Sequence, residues 1–283
     1  MTLVVAVIDP MTGAVSLGAD TKVTWARDET RTRRVYTEPA LKIVLLGDDL
    51  VVGYAGDGPE MLAEAVSTLG GLGVDEVLAR LARIEGASFV VGQRRPARIW
   101  SASAERGIEE RTAIRRAWAG DVTAFSTFQA RFDDDSAGSA LDRLQSTMSH
   151  IVHLARPESV GGFAIFATGS ADGPFRYHSV QSMLWPESME AEVTIPTAND
   201  DGTGNFTLRA TYSEMPLMLH VVPGAEPTRG ALGVYVQNAG LGYLYPQALP
   251  AQRVQVRARS LEEFVHQAGS EYGQALALGG ACN

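Results

Sequence analysis

Four residues near the start of the chain have the types and the order of a single hydrolytic site. Thr2 opens a run of mostly β-branched residues, TLVVAVI, and Asp20, Lys42 and Gly56 stand at the ends of the next three strand-like runs. A threonine hydroxyl becomes nucleophilic when a base removes its proton, and the residue's own α-amine is one such base. That amine has an ordinary pKa of about 7.7 to 8.0, so part of it is unprotonated near neutrality. The pattern predicts nucleophilic catalysis by Thr2.

This chemistry requires removal of Met1, because only then does Thr2 carry a free amine. Threonine is small enough at the second position for methionine excision, so we expect a mature chain that begins TLVVAV. A lysine ammonium beside the threonine favours the alkoxide and lowers the pKa of the amine, and an aspartate holds the lysine in place. We assign these roles to Lys42 and Asp20. Gly56, in YAGDG, is expected to offer its backbone N–H to a developing oxyanion.

Two predicted hairpins have to bring these residues together. The first joins TLVVAVI to AVSLGA through the turn DPMTG, and the second joins KIVLL to LVVGYA through GDD. The strand-like runs are almost continuously apolar rather than alternating. We therefore expect their sheets to be covered on both faces.

With these residues in place, the N-terminal stretch resembles a proteasome β-type subunit, an N-terminal-nucleophile hydrolase of the threonine class. The matching features are Thr2, Asp20 with Thr24 in DTKVT, Lys42 in LKIV and Gly56 in YAGDG. The resemblance is specific over about the first 60 residues and weaker to about residue 182. It implies a threonine endopeptidase that acts on peptides or unfolded proteins without a cofactor or metal. Peptidases of that family enclose their sites in rings, so the resemblance also implies a homo-oligomer, and it leaves any unfoldase partner unidentified.

The chain also departs from the pattern of that family. The segment WARDETRTRRVYTEPA lengthens the interval between Asp20 and Lys42, and Asp121 in AWAGDVTAF stands where the family has a serine that supports the threonine amine. An aspartate near the amine would raise its pKa and oppose a free-base role. The segment ARPESVGG does not place an aspartate and a serine in the register of the family motif. These departures predict an altered environment around a retained Thr2, Asp20 and Lys42.

The predicted order of elements is four strands, two helices, three strands, two helices and two strands. We expect Asp121 to cap the helix DVTAFSTFQARF, and Ser260 with Glu263 to cap the terminal helix SLEEFVHQAGSEYGQAL. By resemblance this order implies an α+β fold, a four-layer αββα sandwich with a C-terminal extension. Residues 1–184 are expected to form the hydrolase core. Residues 185–283 are expected to form a β-rich extension that ends in a helix.

Composition limits the possible partners. With 24 basic and 33 acidic residues the formal net charge is −9, which argues against binding to nucleic acid or to an anionic membrane. The single cysteine, Cys282, excludes an intrachain disulfide, and no apolar run reaches the roughly 20 residues that span a bilayer. These features predict a cytoplasmic protein.

His150 and His153 could share a helix face, but no third ligand is in register, so we expect no metal site.

Two alternatives to the peptidase remain open from sequence. The altered surroundings of Thr2 are compatible with a catalytically inactive, proteasome-like scaffold or binding subunit. The long C-terminal part is compatible with an amidase that uses the same nucleophile on a small substrate. Replacing Thr2 separates both enzymes from the scaffold, because only an enzyme would lose turnover.

Overall fold

The computed structural model describes residues 2–22, 39–135, 138–155, 157, 159–184, 189–196, 205–212, 217–246 and 252–278. Within these ranges the strands are β1 (Leu3–Ile8), β2 (Val15–Asp20), β3 (Ile43–Leu45), β4 (Leu50–Gly56), β5 (Ala87–Arg94), β6 (Ala97–Ser103), β7 (Gly107–Glu110), β8 (Arg116–Gly120), β9 (Ala164–Gly169), β10 (Arg176–Tyr177), β11 (Val180–Leu184), β12 (Met189–Pro196), β13 (Asn205–Tyr212), β14 (Leu217–Pro223), β15 (Leu232–Val236), β16 (Leu241–Tyr245) and β17 (Val254–Arg257). The helices are α1 (Pro59–Ser67), α2 (Val74–Leu81), α3 (Val122–Asp134), α4 (Ala140–His150) and α5 (Leu261–Ser270).

The described strands form three five-stranded antiparallel sheets. The first sheet has the order β10-β9-β2-β1-β8, the second β3-β4-β5-β6-β7 and the third β11-β14-β15-β16-β17, while β12 and β13 form a separate two-stranded sheet. The expected four-layer αββα sandwich with an added extension is therefore wrong. The residues expected as an extension supply most of a full third sheet, which shares the central core with the other two.

The central core shows why the third sheet is not an appendage. One cluster of buried residues joins Val4 of β1 and Ile43 of β3 to Leu219 of β14 and Val234 of β15. Helices α1 and α2 pack on the other face of the second sheet, α3 and α4 on the first, and α5 on the third. The apolar residues of the third sheet are too numerous to be left in water, and they complete the core instead.

The two predicted N-terminal hairpins are confirmed. Strands β1 and β2 pair antiparallel, as do β3 and β4. In the first turn the Asp9 carboxylate accepts hydrogen bonds from the N–H groups of Met11 and Thr12, both at 2.9 Å, which is an Asx-type turn. Every residue of β1 and β2 is buried, as expected for a sheet covered on both faces.

Other local predictions were partly right. Asp121 caps α3 and Ser260 caps α5 as predicted. The Glu263 carboxylate of α5 accepts its hydrogen bond from the N–H of Arg259 rather than from that of Ser260. Between the two pairs of helices three strands were predicted, but the structure has four, β5 to β8, and a 3₁₀ turn at Thr112–Ile114 that is followed by the positive φ of Arg115, 54°. Strand β7 was not predicted.

Some predictions concern residues outside the described ranges. They include Thr24 and the rest of residues 23–38, which make up most of the long interval between Asp20 and Lys42, and Cys282. In the described part of the chain, no helix combines the length and the apolar character needed to cross a membrane.

Candidate active site

The first two hairpins bring Thr2, Asp20 and Lys42 together. Thr2 directly precedes β1, Asp20 is the last residue of the neighbouring β2, and Lys42 directly precedes β3. The N–H of Leu3 donates to Asp20 Oδ1 at 3.0 Å, which ties the aspartate to the start of the nucleophile strand. The side chains meet at the interface of two sheets, where the relative exposures of Thr2, Asp20 and Lys42 are 3%, 0% and 4%.

The three polar groups contact one another directly. Lys42 Nζ donates to Thr2 Oγ1, and the Thr2 hydroxyl donates to Asp20 Oδ1. Lys42 Nζ also lies 3.1 Å from Asp20 Oδ1 and donates to the backbone oxygen of Lys22 at 2.5 Å. The hydroxyl is thus oriented by a donor on one side and an acceptor on the other.

The Asp20 carboxylate is held in place by backbone groups as well. Its Oδ2 accepts hydrogen bonds from the N–H groups of Lys22 and Gly161, each at 3.2 Å. These contacts fix the position of the Asp20 carboxyl group next to Lys42.

Burial changes the acidity of Lys42. Removal from water lowers the pKa of its ammonium group, and the neighbouring Asp20 only partly reverses this effect, so the net pKa lies below the ordinary 10.5. Desolvation disfavours the charged form of a lysine, whereas an opposite charge favours it. Lys42 consequently releases its proton more readily than a lysine in water.

Gly56 lies at the end of β4 and lines the same cavity as Thr2. The N–H of Tyr54, two residues earlier, donates to the Lys42 carbonyl at 3.0 Å. Because alternate residues of a strand direct their N–H groups to the same edge, the Gly56 N–H points towards that edge too. A Cβ atom at Gly56 would lie 2.6 Å from the Gly86 oxygen, so the close approach of two strands requires glycine here.

Asp121 connects the start of α3 to the nucleophile strand. Its N–H donates to the Thr2 carbonyl at 2.8 Å, and its carboxylate accepts hydrogen bonds from the Ala124 N–H at 2.8 Å and from the Ser159 hydroxyl at 2.7 Å. Burial acts to raise the pKa of the Asp121 carboxyl, but these hydrogen bonds outweigh it and the net pKa is lowered. Asp121 is thus a stabilised anion at the cross-strand position of Thr2.

Sequence reasoning missed Ser159. The register of ARPESVGG does not place this serine where the resemblance requires one, yet the fold brings it to Asp121. Two residues later Gly161 donates to Asp20, and Phe163 donates to the Thr21 hydroxyl at 3.1 Å. One local feature of the sequence could have indicated Ser159. It stands shortly before a Gly-Gly pair and a predicted strand, and glycines allow a close approach of the backbone.

A cavity of about 400 Å³ opens beside Thr2. Strands β5, β6 and β8 form much of its wall, with the hydroxyls of Ser88, Ser101 and Ser103 among the lining groups. Its charged lining residues are Asp57, Glu105, Arg106, Glu109 and Arg111, of which Glu109 and Arg111 form an ion pair. The lining is therefore mixed in charge and combines these polar groups with apolar residues such as Phe89 and Trp118.

No metal site is evident at the candidate site or elsewhere in the described ranges, where no three His, Cys, Asp or Glu residues are grouped closely enough to bind a metal ion.

Comparison with models of known protein families gave no match, and no curated protein proved similar in sequence. The chemistry of the site must therefore be inferred from its own residues.

Proposed function

We propose that the protein is a threonine-type hydrolase that cleaves peptide bonds with Thr2 as its nucleophile after removal of Met1. The observation that carries this proposal is the buried Thr2 hydroxyl, held between Lys42 Nζ and Asp20 Oδ1 at the edge of a cavity. A hydroxyl in contact with both a lysine and a carboxylate is oriented for proton removal. This is the activity that the N-terminal residues imply by resemblance.

In the proposed reaction, Thr2 Oγ1 attacks the carbonyl carbon of the substrate. The hydroxyl proton passes to a neighbouring amine, either that of Lys42 or the freed α-amine of Thr2. The Gly56 N–H would stabilise the negative oxygen of the tetrahedral intermediate. Collapse of this intermediate breaks the C–N bond, and the leaving amine takes up a proton. Water then hydrolyses the resulting ester and regenerates the Thr2 hydroxyl.

Lys42 and Asp121 both bear on which amine acts as the base. The pKa of Lys42 is lowered, which favours its unprotonated form. The backbone N–H of Asp121 bonds to the Thr2 carbonyl, and the Asp121 carboxyl interacts with the charge of the chain's N-terminus. A nearby negative charge raises the pKa of an amine. We infer that Lys42, in its unprotonated form, accepts the proton from Thr2, while the α-amine remains protonated and supplies the proton for the leaving group.

Intact-mass measurement tests this function. We expect a mature chain that lacks Met1 and gains one adduct from an electrophile that requires both the amine and the hydroxyl of an N-terminal threonine. Thr2→Ala should abolish the adduct and peptide turnover, and the matched variant Thr2→Ser should retain both. A chain that keeps Met1 in its active form, or an adduct on Thr2→Ala, would refute the proposed nucleophile. Unmodified, inactive wild-type protein would instead support a non-catalytic scaffold.

The size of the cavity favours a second candidate, an amidase for a small substrate. A volume of about 400 Å³ lies at the lower end of the range for small-molecule sites. Parallel assays with a panel of fluorogenic peptides and with small N-acyl amides would separate the two. A preference for short amides that is lost in Thr2→Ala would select the amidase.

A homo-oligomer, which the resemblance also implies, remains part of the proposal.

A further inference from the structure

The backbone that carries Lys42 is held by tyrosines from all three sheets. Tyr54 of β4 donates its hydroxyl to the Leu41 carbonyl at 2.6 Å, and Tyr177 of β10 donates to the Ile43 carbonyl at 2.7 Å. Tyr245, at the end of β16 in the third sheet, donates to the Pro39 carbonyl at 2.6 Å. The acceptors are the carbonyls at alternate positions of a single segment, residues 39–43, with Lys42 between the last two.

Tyr245 has the most distant origin of the three. It is 1% exposed, and Arg253, just before β17, donates to the same Pro39 carbonyl at 3.2 Å. Pro39 itself is buried, so its carbonyl needs a partner from the protein. The third sheet provides both of these donors.

The three phenols are suited to act as permanent donors. Burial raises the pKa of Tyr54, Tyr177 and Tyr245 well above the ordinary 10.0. Each hydroxyl therefore keeps its proton across the pH range in which the protein would work. The contacts with the segment do not depend on pH.

We propose that Tyr245 is a positioning residue for Lys42, so that the third sheet is part of the catalytic apparatus. This inference rests on the proposed function. Lys42 Nζ must meet Thr2 Oγ1, Asp20 Oδ1 and the Lys22 carbonyl at once. A small movement of its backbone would weaken these contacts together, because the buried side chain has little room to compensate.

Tyr245→Phe tests the proposal, with Tyr235→Phe as its matched control. Tyr235 is a buried tyrosine of β15 in the same sheet, and its hydroxyl also donates to a carbonyl, that of Ala258 at 3.0 Å. It makes no hydrogen bond to residues 39–43 in the part of the chain that the structure describes. Both variants lose one hydroxyl of the same kind, so similar losses of thermal stability are expected.

The kinetic readout separates positioning from folding. We expect Tyr245→Phe to lower kcat about tenfold, which corresponds to about 1.4 kcal/mol, with little change in KM. Loss of the hydrogen bond to Pro39 would let residues 39–43 move and would admit water to Lys42. The pKa of Lys42 would then rise, and the acid limb of the pH–rate profile would move to higher pH. Asp20 and Lys22 are the charged neighbours of Lys42 that also bear on this profile. Tyr235→Phe should leave kcat and the profile unchanged.

A second readout does not depend on turnover. The chain contains only two lysines, Lys22 and Lys42, so NMR of lysine-labelled protein gives two sets of side-chain signals. In Tyr245→Phe the Lys42 signal should titrate at higher pH than in the wild type and in Tyr235→Phe. Equal Lys42 titration in all three proteins would overturn the positioning role. If the titration shifts as expected but Thr2→Ala retains full turnover, the proposed function fails while the positioning of Lys42 stands.

Discussion

At the scale of single residues, Thr2, Asp20 and Lys42 depend on one another because they are charged or polar groups buried in one place. The ammonium of Lys42 and the carboxylate of Asp20 lie 3.1 Å apart with almost no exposure. Such a pair contributes little net stability, because desolvation offsets the attraction. Its value is in orienting the Thr2 hydroxyl that both groups contact.

This dependence predicts the effect of removing one partner. Lys42→Met should abolish turnover and lower the free energy of unfolding by about 3–5 kcal/mol, because Asp20 is left as an uncompensated buried charge. Adding Asp20→Asn should recover much of the stability but none of the turnover. Urea denaturation and the peptide assay measure the two effects. An unchanged unfolding midpoint for Lys42→Met would show that the pair is not buried as described.

At the scale of elements, the site depends on where strands end and how closely they approach. Gly56 ends β4 against β5, and Gly120 ends β8 against the start of β1. Gly120 has a φ of +107°, and a Cβ there would lie 1.9 Å from the Thr2 oxygen. Glycine at both positions allows the backbone to approach Thr2 and the adjacent cavity.

We predict that Gly56→Ala is harmful in a way that a glycine replacement elsewhere is not. Its new Cβ would meet backbone atoms of Gly86 and Ala87 at 2.6 and 2.9 Å, and such overpacking costs about 1–3 kcal/mol. Turnover should fall more than stability, since the Gly56 N–H would be displaced from the cavity. The control is Gly269→Ala in α5, where a Cβ meets nothing within 4 Å and a gain of about 0.5–1 kcal/mol is expected. Thermal unfolding and kcat of both variants test this, and equal activity in both would contradict it.

At the scale of the whole molecule, one core joins the two parts of the chain that the sequence separates at residue 184. Val4 and Ile43 from the N-terminal part share a buried cluster with Leu219 and Val234 from the C-terminal part. Residues that share a core usually unfold together. The third sheet should therefore stabilise the candidate site as well as itself.

This arrangement predicts a single unfolding transition that responds to mutations in the third sheet. Leu219→Ala, at a fully buried position of β14, should lower the free energy of unfolding by about 2–5 kcal/mol and shift the whole transition. Leu278→Ala, at a position 47% exposed, should change it by less than about 0.5 kcal/mol. Calorimetry combined with the thermal loss of electrophile labelling at Thr2 gives the comparison. Two separate transitions, with only one moved by Leu219→Ala, would show that the parts fold independently.

The sequence by itself determined the local features of this protein. The turn at DPMTG, the strands on either side of it and the caps at Asp121 and Ser260 follow from short-range rules of turn geometry, hydrophobic pattern and capping. The same local reading placed Asp20 at the end of a strand and Lys42 at the start of one. Pairing within the first hairpin accounts for the approach of Asp20 to Thr2, whereas Lys42 belongs to another sheet and its meeting with Thr2 was predicted from the family resemblance.

Only the tertiary structure decided how distant parts of the chain combine. The four-layer expectation was wrong because strand patterns show that strands exist but not which sheet they join or which core they complete. Ser159 meets Asp121 and Tyr245 meets Pro39 across long sequence separations, and no short-range pattern encodes such contacts. They arise because burying apolar residues of all three sheets in one core brings together polar groups that must then find partners.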